Sequence, residues 1–132
     1  MPDDTQHVRE VKSKSGLKRI SSALGYSIDG LRAAWRHEHA FRQELMVVLP
    51  GIVVALLLPV SRPEKLALVA VLLLVLIVEL MNSAIEAVVD RVSLERHPLS
   101  KNAKDLGSAA VLLACVLAAA TWMVVLSPLM GI

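Results

Sequence analysis

The chain has 132 residues, of which 55% are hydrophobic, and its mean hydropathy is +0.61. A soluble domain of this size has too little interior to bury so many apolar side chains, so the composition excludes that class and indicates one membrane domain. The net charge is only +2, and the single cysteine excludes a disulfide scaffold. The sequence contains no glycine-rich phosphate loop, CxxC pair or HExxH motif, and we expect no nucleic-acid partner.

The N-terminal part divides into a polar stretch and an amphipathic one. Residues 1–15 are polar and aperiodic, which predicts a flexible extension before a domain over 16–132. The pattern then predicts a surface helix over about 28–44. A basic helix that carries Trp and Phe is typical of a membrane surface. The residues that share one face of it at helical spacing are Leu31, Ala34, Trp35, Glu38 and Phe41.

Three apolar stretches predict membrane spans over about 45–60, 66–89 and 106–126. The first span has 16 residues and reaches only about 24 Å. It therefore needs extra length from Phe41 onward, or a thin bilayer. The third span begins with small residues that favour close helix packing, namely Gly107, Ser108, Ala109 and Ala110.

The basic residues predict the orientation of these spans. Eight of the 14 Lys and Arg residues lie between Arg9 and Arg42, four lie in the linker at 91–104, and two lie in the linker at 61–65. Three spans place the N-terminal segment and the 91–104 linker on the same side. The positive-inside rule therefore predicts a cytoplasmic N-terminus and an external C-terminus.

The stretch ELMNSAIEAVVD at 79–90 places polar residues on a predicted span. At 100° per residue, Glu79, Asn82, Glu86 and Asp90 fall within a stripe about 80° wide, and Ser83 lies at its edge. Acids inside a membrane are costly and usually mark function. Three carboxylates on one stripe repel one another without a cation, and a divalent metal near Glu86 with hard oxygen ligands would explain them.

Phosphoryl transfer needs a metal, cations around the phosphates and a base that orients the acceptor. On the predicted span, Glu79 is deep enough to meet a lipid hydroxyl, and Glu86 is shallow enough to meet Mg·ATP. Two other interpretations remain open from the residues alone. The stripe could be a structural network paired with neighbouring helices, or it could line the path of a small proton or ion channel or transporter.

Three separated segments, at 25–44, 79–90 and 95–105, together resemble the prokaryotic diacylglycerol kinase family, and the resemblance extends over about 16–127. It implies an all-α membrane protein with an N-terminal amphipathic surface helix and three transmembrane helices. It also implies a multi-pass homotrimer of the bacterial inner membrane with active sites shared between subunits. The implied reaction is phosphorylation of diacylglycerol by ATP; the sister branch, which phosphorylates undecaprenol, has nearly the same signature.

The resemblance also implies roles for individual residues. Glu79 would be the catalytic base, supported by Asn82, while Glu38 and Glu86 would hold Mg²⁺. For Glu38 the sequence alone allows an i,i+4 pair with Arg42 equally well, and Asp90 receives no role. The implied nucleotide contacts are Arg19, Tyr26, Glu38, Glu86, Glu95, Arg96, His97, Lys104 and Asp105. The implied lipid contacts are Arg19, Ala23, Leu24, Gly25, Tyr26, Ser27, Ile28, Ala40, Phe41, Arg42, Gln43, Glu44, Glu79 and Ser108.

Overall fold

A computed structural model describes residues 16–132, and the predicted flexible extension at 1–15 lies outside the described residues. The four helices are α1 (Gly16–His37), α2 (His39–Leu57), α3 (Arg62–Val92) and α4 (Pro98–Met130). No strand occurs within 16–132. Helices α2, α3 and α4 are each long and apolar enough to cross a membrane. The predicted class, an all-α membrane protein with an amphipathic N-terminal helix and three spans, is confirmed.

The chain divides into two compact units, of which one ends at Arg36 and the other begins at His37. In the first unit, α1 has an apolar stripe whose members are three or four residues apart and all exposed. Outside this stripe, the exposed Asp29 and Arg32 form an ion pair at 3.6 Å. The stripe consists of Leu17, Ile20, Leu24, Ile28, Leu31 and Trp35.

Near the start of the second unit the helical path is interrupted at Glu38, which has extended backbone angles (φ −103°, ψ 108°). We predicted one continuous surface helix over about 28–44, whereas in the structure α1 ends at His37 and α2 begins at His39. Glu38 occupies the N-cap of α2, where a negative charge is favoured by the helix dipole. Phe41 therefore lies on α2, where it is buried.

Helix α2 has 19 residues, or about 28 Å, because it starts six residues before the apolar run at Leu45. A short turn follows it, and a capping box between Ser61 and Glu64 starts α3. Across this turn the Lys65 ammonium donates to the Leu56 carbonyl at 2.6 Å. The capping box and this hydrogen bond together hold the turn, so that α2 and α3 are antiparallel neighbours.

Helix α3 packs against both α2 and α4. Its contact with α4 centres on Val75, Ala114 and Ala118, with Val71 and Val78 packed around them. Among the small residues that we predicted to start the close contact, Gly107 is buried but 108–110 are exposed. Close packing instead uses Gly107, Ala114 and Ala118, because these share one face of α4 at spacings of seven and four residues.

Helices α3 and α4 have 31 and 33 residues, or about 46 and 50 Å, and exceed the roughly 30 Å hydrocarbon core. The C-terminal end of α3 and the N-terminal end of α4 carry charged residues, which suits them to the aqueous edge of a membrane. Most large apolar side chains on the three spans are exposed in this single chain. Such side chains are suited to lipid or to another membrane helix.

Candidate active site

The polar stripe of α3 lies on the face of that helix that the other two spans pack against. Glu79 is the one buried charged side chain within 16–132, and only 5% of it is exposed. The carboxylates of Glu86, Glu38 and Glu44 lie near enough for their charges to act on it. The structure thus brings together four carboxylates from α2, its N-cap and α3.

Asn82 lies on α3 between Glu79, the predicted catalytic base, and Glu86, a predicted metal ligand. Its Nδ2 donates to Glu86 Oε1 across 3.5 Å, at the long end of hydrogen-bond distances. Its Oδ1 is buried and has no hydrogen-bond partner in the described chain. The Asn82 side chain rests directly on Gly107 of α4. The amide therefore links Glu86 to the α3–α4 contact and keeps one acceptor available.

Two lysines of α4 meet carboxylates at the end of the stripe. Lys104 Nζ donates to Asp90 Oδ1 at 2.7 Å, and this ion pair joins α4 to α3. Lys101 pairs with Asp105 one turn away along α4. Glu86 is also near enough for its charge to act on Lys104. The arrangement gives Asp90, which had no role from the sequence, a structural one: it orients Lys104.

An open recess of about 740 Å³ lies between the end of α3 and the start of α4. His97 is the N-cap of α4, and its Nδ1 accepts from the Leu99 amide at 3.1 Å. Three of the predicted nucleotide contacts, at 95–97, lie in the linker that forms the wall of the recess. The charged and imidazole side chains of its lining are Asp90, Glu95, Arg96, His97, Lys101 and Lys104.

A second, smaller recess of about 330 Å³ lies among the three spans. Glu44 contributes to its lining, and Glu44 Oε2 is buried with no hydrogen-bond partner in residues 16–132. Of the predicted lipid contacts, Gln43 and Glu44 line this recess. The other lining side chains are apolar or weakly polar, namely Val47, Val48, Leu72, Val75, Cys115 and Ala118.

Within the second unit, some predicted contacts do not line these recesses. Ala40 is exposed on α2, and Ser108 is exposed on α4, beside Gly107. Arg42 contacts the His39 ring at 3.1 Å. The predicted residues of α1, which are Arg19 and 23–28, belong to the first unit, where Ser27 donates to the Ala23 carbonyl at 2.9 Å. Their roles stay predictions.

Sequence reasoning missed three residues of the second unit that contact or line the site. Lys101 lines the larger recess, and its i,i+4 spacing to Asp105 was a readable signal. Cys115 lines the smaller recess, but no spacing in the sequence pointed to it. Gly107 was noted for packing only, because its contact with Asn82 depends on the register between two helices.

Within 16–132, no group of three or more His, Cys, Asp or Glu side chains forms a ready metal site. The Glu38 side chain makes no capping hydrogen bond to α2.

Comparison with known proteins identifies relatives along most of the chain. A family model described as prokaryotic diacylglycerol kinase matches residues 25–126. A diacylglycerol kinase of Pseudomonas aeruginosa is 59% identical over 115 residues, which cover 87% of this chain and 94% of the relative. A diacylglycerol kinase of Escherichia coli K12 is 53% identical over 112 residues, or 85% and 92% of the two chains. One of Helicobacter pylori is 44% identical over 114 residues, or 86% and 89%. The segment matched by the family model contains every carboxylate of the cluster described above.

Proposed function

The chain belongs to the prokaryotic diacylglycerol kinase family, and we propose that it transfers the γ-phosphate of ATP to the free hydroxyl of diacylglycerol, forming phosphatidic acid. The observation that carries this proposal is the buried carboxylate of Glu79 on a helix able to cross a membrane. A base at that depth meets a lipid hydroxyl without extracting the lipid from the bilayer. Family membership favours this enzyme over the small channel or transporter that the polar stripe alone would also allow.

The protein is a membrane protein, and we propose that it lies in the bacterial inner membrane with its N-terminus in the cytoplasm. The support is the distribution of Lys and Arg: eight precede Pro50, and four lie at 91–104. Basic loops remain on the cytoplasmic side. This orientation places the larger recess on the side of the membrane where ATP is found.

In the proposed mechanism, Glu79 accepts the proton of the lipid hydroxyl as that oxygen attacks the γ-phosphorus, and the bond from the γ-phosphorus to the β,γ-bridging oxygen breaks to release ADP. Its near-complete burial keeps water from competing for the phosphate. Asn82 orients Glu86 through its Nδ2. Glu79 lies on the same stripe of α3. A fixed Glu86 therefore also sets the position of the γ-phosphate of the nucleotide relative to the Glu79 carboxylate. A positioned base of this kind contributes about 10²- to 10⁴-fold to the rate.

Mg²⁺ fits these residues as the cofactor, with Glu38 and Glu86 as its protein ligands. Mg²⁺ in phosphoryl-transfer sites is usually bound by one or two carboxylates together with substrate phosphates, so a closed three-residue site is not needed. When bound it would neutralise phosphate charge. The chain's own contribution is to hold the Glu38 carboxylate at the break between α1 and α2, outside any capping bond, and to place Glu86 beside Asn82.

The larger recess is the proposed nucleotide site. Arg96, Lys101 and Lys104 supply the cations that bind phosphate oxygens, and Asp90 keeps Lys104 near the end of the stripe. The smaller recess beside Glu44 is the proposed place for the apolar part of the lipid near its glycerol. The two recesses lie on opposite sides of the Glu79–Glu86 pair along α3, as a transfer between a soluble donor and a membrane acceptor requires.

We propose a homotrimer with sites shared between subunits. One support is that many large apolar side chains on α2, α3 and α4 are exposed in a single chain. The other is that the resemblance to the family implies a homotrimer. Association in a membrane depends on close packing of such helices.

The decisive experiment offers two lipids to the purified full chain in mixed micelles with labelled ATP and Mg²⁺. Labelled phosphatidic acid from diacylglycerol is expected, and it should be absent with Glu79→Gln. Undecaprenol is offered side by side as the alternative acceptor. Labelled undecaprenyl phosphate alone would assign the chain the sister reaction, and no labelled lipid from either would refute the kinase proposal.

Asp90→Asn is expected to raise the KM for ATP about two- to fivefold with little change in kcat. The substitution removes the partner of Lys104 without removing the lysine, so phosphate binding weakens because Lys104 is no longer held in place. The measurement is an ATP titration at saturating diacylglycerol. Asp29→Asn, which breaks the exposed pair with Arg32 on α1, is the matched control and should leave the KM unchanged. Equal effects of the two substitutions would contradict the role of Asp90.

A further inference from the structure

Gly107 lies where α4 passes the polar stripe of α3. A Cβ atom added at this glycine would overlap Asn82 Oδ1 and would lie 3.2 Å from Asn82 Cγ. Its distance to Asn82 Cα would be 3.8 Å, an ordinary van der Waals contact, so the overlap falls on the Asn82 side chain and not on the backbone of α3. The Asn82 side chain thus occupies the volume that any other residue at 107 would fill.

The two helices cannot easily separate to relieve such an overlap. On one side of the contact Val75 packs against Ala114 and Ala118. On the other side the Lys104–Asp90 pair joins the helices. An added methyl group would therefore displace the Asn82 amide rather than move α4, since a side-chain rotation costs less than repacking a helix interface.

The displaced group is the Asn82 side-chain amide, which contacts Glu86, the proposed metal ligand. Asn82 Nδ2 reaches Glu86 Oε1 at 3.5 Å, a distance that leaves no margin for a shift. Its Oδ1 is buried beside Gly107 and carries no hydrogen bond within the described residues. No polar partner therefore holds that oxygen, and the glycine surface is what sets its position.

We propose that Gly107 is a positioning residue for phosphate transfer: by lacking a side chain it holds Asn82 in the conformation that contacts Glu86. The proposal rests on the kinase function proposed above. Gly107 touches no substrate, and its effect on the reaction passes through Asn82 alone.

Gly107→Ala in the full chain is expected to lower kcat at least tenfold, with the KM values for ATP and diacylglycerol within about threefold of the original. Gly30→Ala is the matched control. It makes the same change inside a helix, but a Cβ at Gly30 would meet nothing within 4 Å, and activity should be retained. A Gly107→Ala variant that keeps more than a tenth of the original kcat would overturn the proposal.

A double substitution separates positioning from general damage to the fold. Asn82→Ala removes the amide and opens space for a methyl group at 107. Alanine is the better helix former, so Gly107→Ala should then raise the thermal unfolding midpoint in detergent. In the original background it should lower that midpoint. A decrease in both backgrounds would refute the contact as the cause, because independent sites have additive effects.

The two readouts also separate this proposal from the proposed function. If the original chain phosphorylates neither lipid, the kinase proposal fails, while the reversal of the midpoint shift still reports whether Gly107 positions Asn82. If the chain is an active kinase and Gly107→Ala lowers kcat further by the same factor in the Asn82→Ala background, the function stands and the positioning role is refuted.

Discussion

Glu79→Gln is expected to lower phosphate transfer to diacylglycerol by at least about 10²-fold while Mg·ATP binding stays within about threefold of the original. The glutamine amide has nearly the shape of the carboxylate but cannot accept the hydroxyl proton. The substitution also removes one charge from a cluster of like charges at a buried position, so the fold should be retained. Transfer is measured with labelled ATP in mixed micelles, and binding by titration of the purified variant with Mg·ATP.

Glu64→Gln is the matched control for this substitution, because it makes the same change on the same helix. Glutamine also completes a capping box, so α3 should begin as before and activity should remain. If Glu79→Gln kept a tenth of the original transfer rate, Glu79 would not be the base. If it lost nucleotide binding together with transfer, its role would lie in holding the nucleotide.

The class of the protein and the polar stripe were predictable because both depend on local periodicity. An apolar run of about 20 residues indicates a span, and helical spacing alone places Glu79, Asn82 and Glu86 on one face. The small-residue contact was predictable in kind but not in detail. Gly107 could be identified as a packing residue, whereas its contact with Asn82 depends on the register between α3 and α4.

Other features could not be predicted because they depend on tertiary context. The break at Glu38 has no proline or glycine to mark it, and helical periodicity continues across it from Trp35 to Phe41. The pairing of Lys104 with Asp90 joins residues 14 positions apart across a helical hairpin. Lys104 has another carboxylate, Asp105, beside it in the sequence, but the structure pairs that one with Lys101.

Glu86→Gln is expected to raise the dissociation constant of Mg·ATP at least about tenfold, because a charged ligand of the proposed metal becomes a neutral one. Glu86 lies between Asn82 and the charge of Lys104, so its loss acts at the nucleotide end of the stripe. The amide can still contact Asn82, and the helix contact with α4 should therefore persist. Binding is measured by titration at several Mg²⁺ concentrations, and transfer at saturating diacylglycerol.

The two substitutions on this stripe are each other's controls, because they make the same chemical change two helical turns apart. Raising Mg²⁺ and ATP should restore part of the transfer rate to Glu86→Gln, since weakened binding is overcome by concentration. The same increase should leave Glu79→Gln inactive, since a higher concentration of Mg²⁺ and ATP cannot replace a missing base. If high Mg²⁺ and ATP rescued both variants equally, or neither, the division of the stripe into a deep base and a shallow metal ligand would be wrong. Opposite responses would show that depth along α3 separates the acceptor end of the reaction from the donor end.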